Sequence, residues 1–411
     1  MRVLLVHRSY PGQFRYLAAA LATIPGCEIV FLTLAEAGCD DLGICRVQYQ
    51  PTHKASMATH SYVRNLENAV GFGQAAYRSA AQLKASGWEP DIILGHSGWG
   101  PTLFLKDIFP RSVLLCYYEW FYRARGSSHG FDPAVPVTPD IEAEVRTKNA
   151  GILLDLASCD GGICPTHWQC SQFPAEFRTK IEVLHDGVHT EYFAPKADQP
   201  LLLPRVGLEL AAGSEVVTYV ATGMEPMRGF PQFMEAVSLL QRQRPHCQVI
   251  VVGEDRIEYS NPLPDGRTYR QQAMEQHPFD LSRLHFTGRL SLDELRQLFW
   301  VSRVHVYLTY PYILSWSMLE AMASGCLVVA SDTPPVREFI EHGVNGMLTD
   351  FFSPEQLADT VAGMLEDPGA TAAMRRRARE TILTSYDLQR ILPRQVDWLR
   401  RAAGHRHRGG S

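Results

Sequence analysis

The chain has 411 residues, 45% of them apolar and 20% charged, a composition that excludes a disordered or fibrous protein. Its length exceeds the roughly 250 to 300 residues that one hydrophobic core serves, so two domains are expected. A formal net charge of -5 gives no general positive field, which excludes nucleic acid as an expected partner.

The chain opens with MRVLLVHRSY, an apolar run broken by His7 and Arg8. It lacks the long apolar region and cleavage site of a signal peptide and reads as a buried strand. Short β-rich runs then alternate with longer helical patterns, the signature of parallel sheets with crossover helices, so the class is α/β. Strands are predicted at Arg2 to His7, Glu28 to Thr33, Asp91 to Gly95, Val113 to Tyr118 and Gly161 to Cys164 in the first half. In the second they fall at Glu215 to Ala221, Cys247 to Gly253, Leu284 to Thr287, Val304 to Leu308 and Cys326 to Ala330. The glycines of Gly71-Phe72-Gly73 spell part of a dinucleotide fingerprint, but a helical pattern precedes them where that motif needs a strand. Both halves begin with a strand that leaves into a Pro-containing loop ending in glycine and an aromatic, RSYPGQF and GMEPMRGF. Two doubly wound, Rossmann-like units are expected, with ligands at the carboxyl ends of the strands in a cleft. The first spans residues 1–180 and the second 181–385, with KADQPLLLPRVG at Lys196 to Gly207 as a surface excursion. A final helix over 386–404 is expected to pack back on the first domain, ahead of a disordered tail at 405–411.

Nine cysteines, an odd number, argue against a complete set of disulfides and favour a reducing, cytoplasmic setting. No stretch approaches the roughly 18 apolar residues needed to span a bilayer, so membrane contact is expected to be peripheral at most. The local group Cys159, Cys164, His167 and Cys170 lacks the paired spacing of a zinc site. The run RRRAR at Arg375 to Arg379 and the basic last helix read as solvated faces or as contacts for anionic lipid on the inner face of the cell membrane.

Two segments carry chemistry. In YPYILSWSMLEAMASGCLVVA, Tyr310 to Ala330, a polar loop opens a helix at Ser315, Trp316 and Ser317, whose free N–H groups and dipole suit a diphosphate. Glu320, one turn further in, projects to the same face and can accept hydrogen bonds from two neighbouring hydroxyls such as a ribose presents. In GMEPMRGF, Gly223 to Phe230, Arg228 is held at the mouth of a strand-to-helix turn where a guanidinium can pair with phosphate.

These segments, with the intervening VIVVGEDR and FTGRLSLDELRQLF runs and the LHDGVHTEYF entry, resemble the donor domain of glycosyltransferase family 4. The resemblance implies a GT-B fold, two Rossmann-like domains facing across a cleft, and a nucleotide sugar, UDP- or GDP-linked, as co-substrate. It implies that Glu320 holds the ribose and that Arg228 stands in the place of the phosphate-binding lysine. Gly253 and Arg289 would border the base, and Gly12 in Pro11-Gly12-Gln13 would approach the diphosphate. His96, with Trp99 beside it, lands at the acceptor side. Tyr118 and Glu119 occupy the places of a His-Asp pair, so the catalytic groups implied are Arg228, His96 and Glu119. The sequence departs from the family at Tyr312, where a glutamate touching the donor sugar is usual, and at Thr222 and Gly223, where an arginine is expected; Arg289 is the candidate replacement. No D-x-D motif occurs, so no metal and no other cofactor is expected. The implied activity is retaining, metal-independent hexosyl transfer to a saccharide, lipid-linked or small-molecule acceptor, as in cell-surface polysaccharide or glycoconjugate synthesis. The alternatives are a catalytically silent nucleotide-sugar-binding protein and a phosphorylase or epimerase on the same architecture.

Overall fold

The computed structural model describes residues 1–367 and 369–408, the last four of them by backbone alone. Two compact units result, one formed by Met1–Gly187 with the segment beginning at Gln389, the other by Val188–Leu388.

The first unit is built on eight strands: β1 (Arg2–Val6), β2 (Glu28–Thr33), β3 (Gly38–Cys39), β4 (Cys45–Gln48), β5 (Ile92–His96), β6 (Val113–Tyr117), β7 (Gly161–Cys164) and β8 (Ile181–Val183). Their order is β3-β4-β2-β1-β5-β6-β7-β8, parallel throughout except for the β3–β4 pair. Such a sheet is covered on both faces, which is why β1 and β5 are near-continuous apolar runs. Alternation along β1 sends Leu4 and Val6 to a core shared with Ala75, Ala76 and Ala80 of the helix Ser61–Ala85. Val3 and Leu5 point to the other face, against Leu17 and Leu21 of the helix Arg15–Ala22. That second core also takes Val396, Trp398 and Leu399 from the helix Leu388–Arg408, so the last helix completes the first unit. Gln395 Nε2 fastens it by donating to the His185 carbonyl at 2.9 Å. Of the tail 405–411, the backbone to Arg408 continues this helix and 409–411 lie outside the described residues.

The second unit's first strands form an antiparallel hairpin, β9 (Leu201–Leu203) and β10 (Leu208–Leu210), whose first strand falls in the segment Lys196 to Gly207 read from sequence as a surface excursion and whose second follows it. Leu201 and Leu203 are buried while Leu202 between them is 47% exposed, so the hairpin covers the sheet with one face. The sheet contains β11 (Val216–Gly223), β12 (Gln248–Glu254), β13 (Leu284–Gly288), β14 (Val304–Tyr307), β15 (Leu327–Ser331) and β16 (Met347–Thr349), ordered β13-β12-β11-β14-β15-β16 and all parallel. In each sheet the chain leaves the central strand in one direction and returns on its other side. The switch points are β1/β5 and β11/β14, where a doubly wound sheet opens a crevice at its carboxyl edge.

Two details modify the sequence reading. Cys39 and Cys45 face each other across the β3–β4 hairpin and form a disulfide, while the other seven cysteines are thiols. Arg379, in the basic run, turns inward: its guanidinium donates to the carbonyls of Phe193, at 3.3 Å, and Ala323, so it serves a helix end and no lipid face. Among the described residues no helix is long and apolar enough to cross a membrane.

Candidate active site

In the second unit, β11 runs into a single 3-10 turn, Pro226–Arg228, closed by Gly229 in the left-handed region (φ 65°). Only glycine fits there, because a Cβ would stand 2.4 Å from Cβ of Leu308. The turn buries the Arg228 side chain to 8% exposure and directs Nη1 to Thr309 Oγ1 at 3.1 Å and to the Ile313 carbonyl at 2.9 Å. Tyr219 from β11 donates its hydroxyl to the Arg228 carbonyl at 2.7 Å. The guanidinium is therefore fixed before any ligand arrives.

The loop after β14 leads to the helix Trp316–Ala323. Ser315 is its N-cap: the Ser315 hydroxyl accepts from Ser317 N at 3.4 Å, and Ser315 N donates to Tyr307 Oη at 2.7 Å. Ser315 and Arg228 line one cavity with Tyr219, Thr222 and Tyr307. Thus the positive end of a helix dipole and a guanidinium meet at the β11/β14 switch point. Trp316 is 41% exposed at the helix start, Ser317 is buried, and Glu320 is half-buried one turn on.

Gly253, at the end of β12, has φ 139° and lies where a Cβ would be 2.2 Å from the Ala221 carbonyl oxygen, so close strand approach demands it. Arg289 is exposed beyond β13, which β12 separates from β11, so it belongs two strands away from the Arg228 turn. Tyr312 is 6% exposed and meets Tyr259 edge-on at 5.4 Å, while the Arg228 guanidinium carbon lies 5.4 Å from the Tyr259 ring centre. Sequence reading missed Tyr259 and what holds it. Fully buried Glu225 accepts the backbone N–H groups of Glu258, Tyr259 and Ser260 on one carboxylate oxygen, at 3.1, 2.9 and 2.8 Å. A carboxylate beside the Pro226 turn was the available signal; the loop it holds lies over thirty residues on.

In the first unit, the carboxyl ends of β1, β5 and β6 gather a second polar group. His96 closes β5 at 3% exposure, stacked on Trp99 with ring centres 3.9 Å apart and planes 4° from parallel. Its Nδ1 donates to the Ser97 carbonyl at 2.9 Å, and its Nε2 stands 3.3 Å from Glu119 Oε2. Gln13 Nε2 donates to the other Glu119 oxygen at 3.1 Å. Burial would raise the Glu119 pKa, but the contacts with His96 and Gln13 and the neighbouring His7 outweigh it and hold the carboxyl below its ordinary range. Gly12 (φ 53°) lies so close to His7 that a Cβ would be 2.4 Å from the ring.

Tyr118 does not join this group. Side chains alternate past β6, so Tyr117 and Glu119 share one side while Tyr118 points into the core, its hydroxyl 3.1 Å from Cys159 Sγ. Beneath the β5 turn lies Asp155, fully buried, accepting from Ser97 Oγ at 2.7 Å and Thr102 Oγ1 at 2.9 Å. Burial raises its pKa to about 6, against the pull of those hydroxyls. Among the described residues no three His, Cys, Asp or Glu side chains are grouped to hold a metal ion.

The profile of the glycosyl transferase family 4 group matches residues 25–193, and that of glycosyl transferases group 1 matches residues 206–381. The chain belongs to glycosyltransferase family 4. It is 26% identical over 190 residues to the D-inositol 3-phosphate glycosyltransferase of Corynebacterium glutamicum, a stretch covering 46% of this chain and 44% of the relative. The chain thus matches less than half the length of that relative. It is 22% identical over 285 residues to a GDP-mannose-dependent alpha-(1-6)-phosphatidylinositol monomannoside mannosyltransferase of Mycobacterium tuberculosis, covering 68% of this chain and 69% of the relative. Among solved structures it is similar to a sucrose-phosphate synthase from Thermosynechococcus elongatus, with a TM-score of 0.71, 16% identity and 98% of each chain covered. The Anabaena protein HepE, solved in complex with UDP-glucose, gives a TM-score of 0.69 at 17% identity, with 97% of this chain and 99% of that one covered. The fold of this family 4 member is GT-B, with two Rossmann-like domains.

Proposed function

We propose that this family 4 member is a glycosyltransferase that takes a sugar from a nucleoside diphosphate and passes it to a saccharide, lipid-linked or small-molecule acceptor. The observation that carries the reading is the cavity shared by Arg228 and the Ser315 helix start. A preorganised guanidinium and a helix dipole are what a leaving diphosphate requires, since its negative charge grows as the glycosidic bond breaks. Glu320 accepts the ribose hydroxyls one turn along the same helix. Gly12 adjoins the diphosphate, while Gly253 and Arg289 border the base and Tyr312 the sugar. His96, Trp99 and Glu119 form the acceptor side. Transfer retains the anomeric configuration, the leaving phosphate taking the acceptor proton on the same face, and proceeds without a metal. UDP- or GDP-linked donors fit a family whose relatives above include a GDP-mannose-dependent enzyme and a protein crystallised with UDP-glucose. The setting is cytoplasmic, with peripheral contact to the inner membrane face where the acceptor is lipid-linked.

The test is a thermal-shift screen of UDP, GDP and ADP and their sugar conjugates, with and without EDTA, followed by turnover with the stabilising donor. A shift with one nucleotide family, unchanged by EDTA and followed by transfer with retention, supports the reading. Stabilisation without turnover would favour a silent nucleotide-sugar-binding protein, a reading that the Tyr312–Tyr259 contact in place of a carboxylate makes concrete.

A further inference from the structure

Side chains alternate along β1 and past its end, so Arg8 follows Leu4 and Val6 in the row that faces the helix Ser61–Ala85. Its guanidinium lies over Phe72 of that helix, with Cζ 4.6 Å from the ring centre, and 5.6 Å from the ring centre of Trp99 in the turn after β5. The backbone is fixed as well: the Arg8 carbonyl accepts from Thr33 Oγ1 at 3.1 Å and from the Leu34 N–H at 3.2 Å. Arg8 is half-buried, yet among the described residues no carboxylate or carbonyl accepts from its guanidinium. Arg123 and Arg178 of the same unit, both more exposed, donate Nε to the Gln172 and Phe173 carbonyls at 2.8 Å each.

Aromatic rings hold a cation without neutralising it. They shield the guanidinium from water, while its N–H donors point outward in one plane, a fork that fits a carboxylate or a phosphate. A half-buried cation to which the protein gives no acceptor is prepared for an anion from outside. Its place in the fold says which molecule brings that anion. Arg8 stands at the carboxyl ends of β1 and β5, where the sheet opens its crevice. Trp99, which it touches, is stacked on His96 with ring centres 3.9 Å apart, so the guanidinium is no farther from the His96 ring than those two distances laid end to end. That span is short enough for a monosaccharide with an anionic substituent to reach both.

We propose that the acceptor carries an oxyanion, a carboxylate or a phosphate monoester, and that Arg8 binds it while the acceptor hydroxyl lies at His96 and Glu119. This rests on the acceptor-side reading above and narrows the acceptor to an anionic one. A neutral sugar in the same place leaves the guanidinium shielded from water and unpaired, so the site discriminates against uncharged acceptors as well as attracting charged ones. Phe72 and Trp99 hold the fork in place before the acceptor arrives, which spares the cost of ordering a long side chain on binding.

The test measures, by calorimetry, the binding of glucose 6-phosphate, glucuronate and glucose to the wild type, Arg8→Gln and Arg8→Lys, alongside affinity for the nucleoside diphosphate. The wild type is expected to bind one of the two anionic sugars about tenfold or more tighter than glucose, and the one preferred tells a phosphate from a carboxylate. Arg8→Gln, which keeps a donor but no charge and strands no protein acceptor, should bind all three sugars alike, with nucleoside diphosphate affinity unchanged. Arg8→Lys, which keeps the charge but not the flat fork, should retain part of the preference. Equal wild-type affinities for the three sugars overturn the proposal. So does a preference that persists in Arg8→Gln, or a loss in that variant that falls on the nucleoside diphosphate instead. If no nucleotide sugar is turned over, the functional reading falls and the anion preference still decides the role of Arg8; turnover confined to neutral acceptors keeps the function and removes the anionic group.

Discussion

Replacing Arg228 by alanine removes a guanidinium that is 8% exposed and already held by Thr309 and the Ile313 carbonyl. Because the group is ordered in advance, almost none of its interaction with a diphosphate is spent on immobilising it. Two charge-assisted hydrogen bonds at about 1.5 to 3 kcal/mol each set the loss at about 3 to 6 kcal/mol, or at least a hundredfold in Kd. The protein itself loses less: the Ile313 carbonyl and Thr309 hydroxyl forfeit one donor, about 1 to 3 kcal/mol, a fall of several degrees in melting temperature. Calorimetry with the stabilising nucleoside diphosphate and with its monophosphate separates these effects. Weakening confined mainly to the diphosphate identifies Arg228 as the group facing the outer phosphate. Equal weakening of both nucleotides would refute the reasoning, because it would mean that the Pro226–Arg228 turn had collapsed. Arg228→Lys, which retains charge but not the paired geometry, should fall between wild type and alanine.

Glu320→Ala should weaken nucleotide binding by about 2 to 3 kcal/mol while leaving the corresponding free base as poor a ligand as before; equal affinities for wild type and variant would remove the ribose assignment. Gly12→Ala meets both a positive φ and the His7 ring at 2.4 Å, so it should cost about 2 to 3 kcal/mol in urea unfolding. Gly213→Ala, at φ 83° with open space around it, is the control and should cost about 1 kcal/mol. Asp155 has its folded pKa raised from 3.8 to about 6, so its bound proton favours the folded state fully below the unfolded value and that stability is lost as pH rises through 6. The shift amounts to about 3 kcal/mol, and Asp155→Asn should abolish this part of the pH dependence. Denaturant midpoints at pH 4.5 and 8 that move in parallel for both proteins would contradict it.

The ten strands expected from sequence were legible because a strand buried on both faces is an apolar run, and Gly and Pro punctuate the loops after it. Their ends shifted by a residue or two: β5 reaches His96, and β11 continues through Gly223. The three-residue strands β8, β9 and β16 carry no such signal, since a trio like Ile181-Glu182-Val183 fits helix, strand or loop until a neighbour pairs with it. The same limit governs the site. Arg228, Ser315 and His96 stand at a turn, a helix cap and a strand end, positions whose signals are local. Tyr118 and Glu119 differ only in parity along the chain, and β6 decides which faces the core. Glu225, Tyr259 and Gln13 bond to backbone groups or side chains that approach only after folding, so no spacing announces them.

The two polar groups differ in what pH can do to them. Arg228 remains cationic at every accessible pH, and the engaged oxygen of Glu225 is committed to three backbone N–H groups. In the first unit the groups are an imidazole and a carboxylate. His96 Nδ1 must carry a proton to serve the Ser97 carbonyl, so Nε2 donates to Glu119 only from the doubly protonated ring, the contact that holds the carboxyl below its ordinary range, and becomes an acceptor once that proton is lost. Two acceptors facing each other at 3.3 Å repel unless a proton, or a hydroxyl brought by an acceptor, lies between them. Glu119→Gln tests this directly, because its amide can donate to Nε2 and occupy that position without charge. The variant should fold as wild type does, bind nucleoside diphosphate with unchanged affinity, and lose about tenfold or more in kcat through a filled hydroxyl site. Unchanged kcat would place the acceptor elsewhere; a parallel loss of nucleotide affinity would show that Glu119 serves the donor as well as the acceptor.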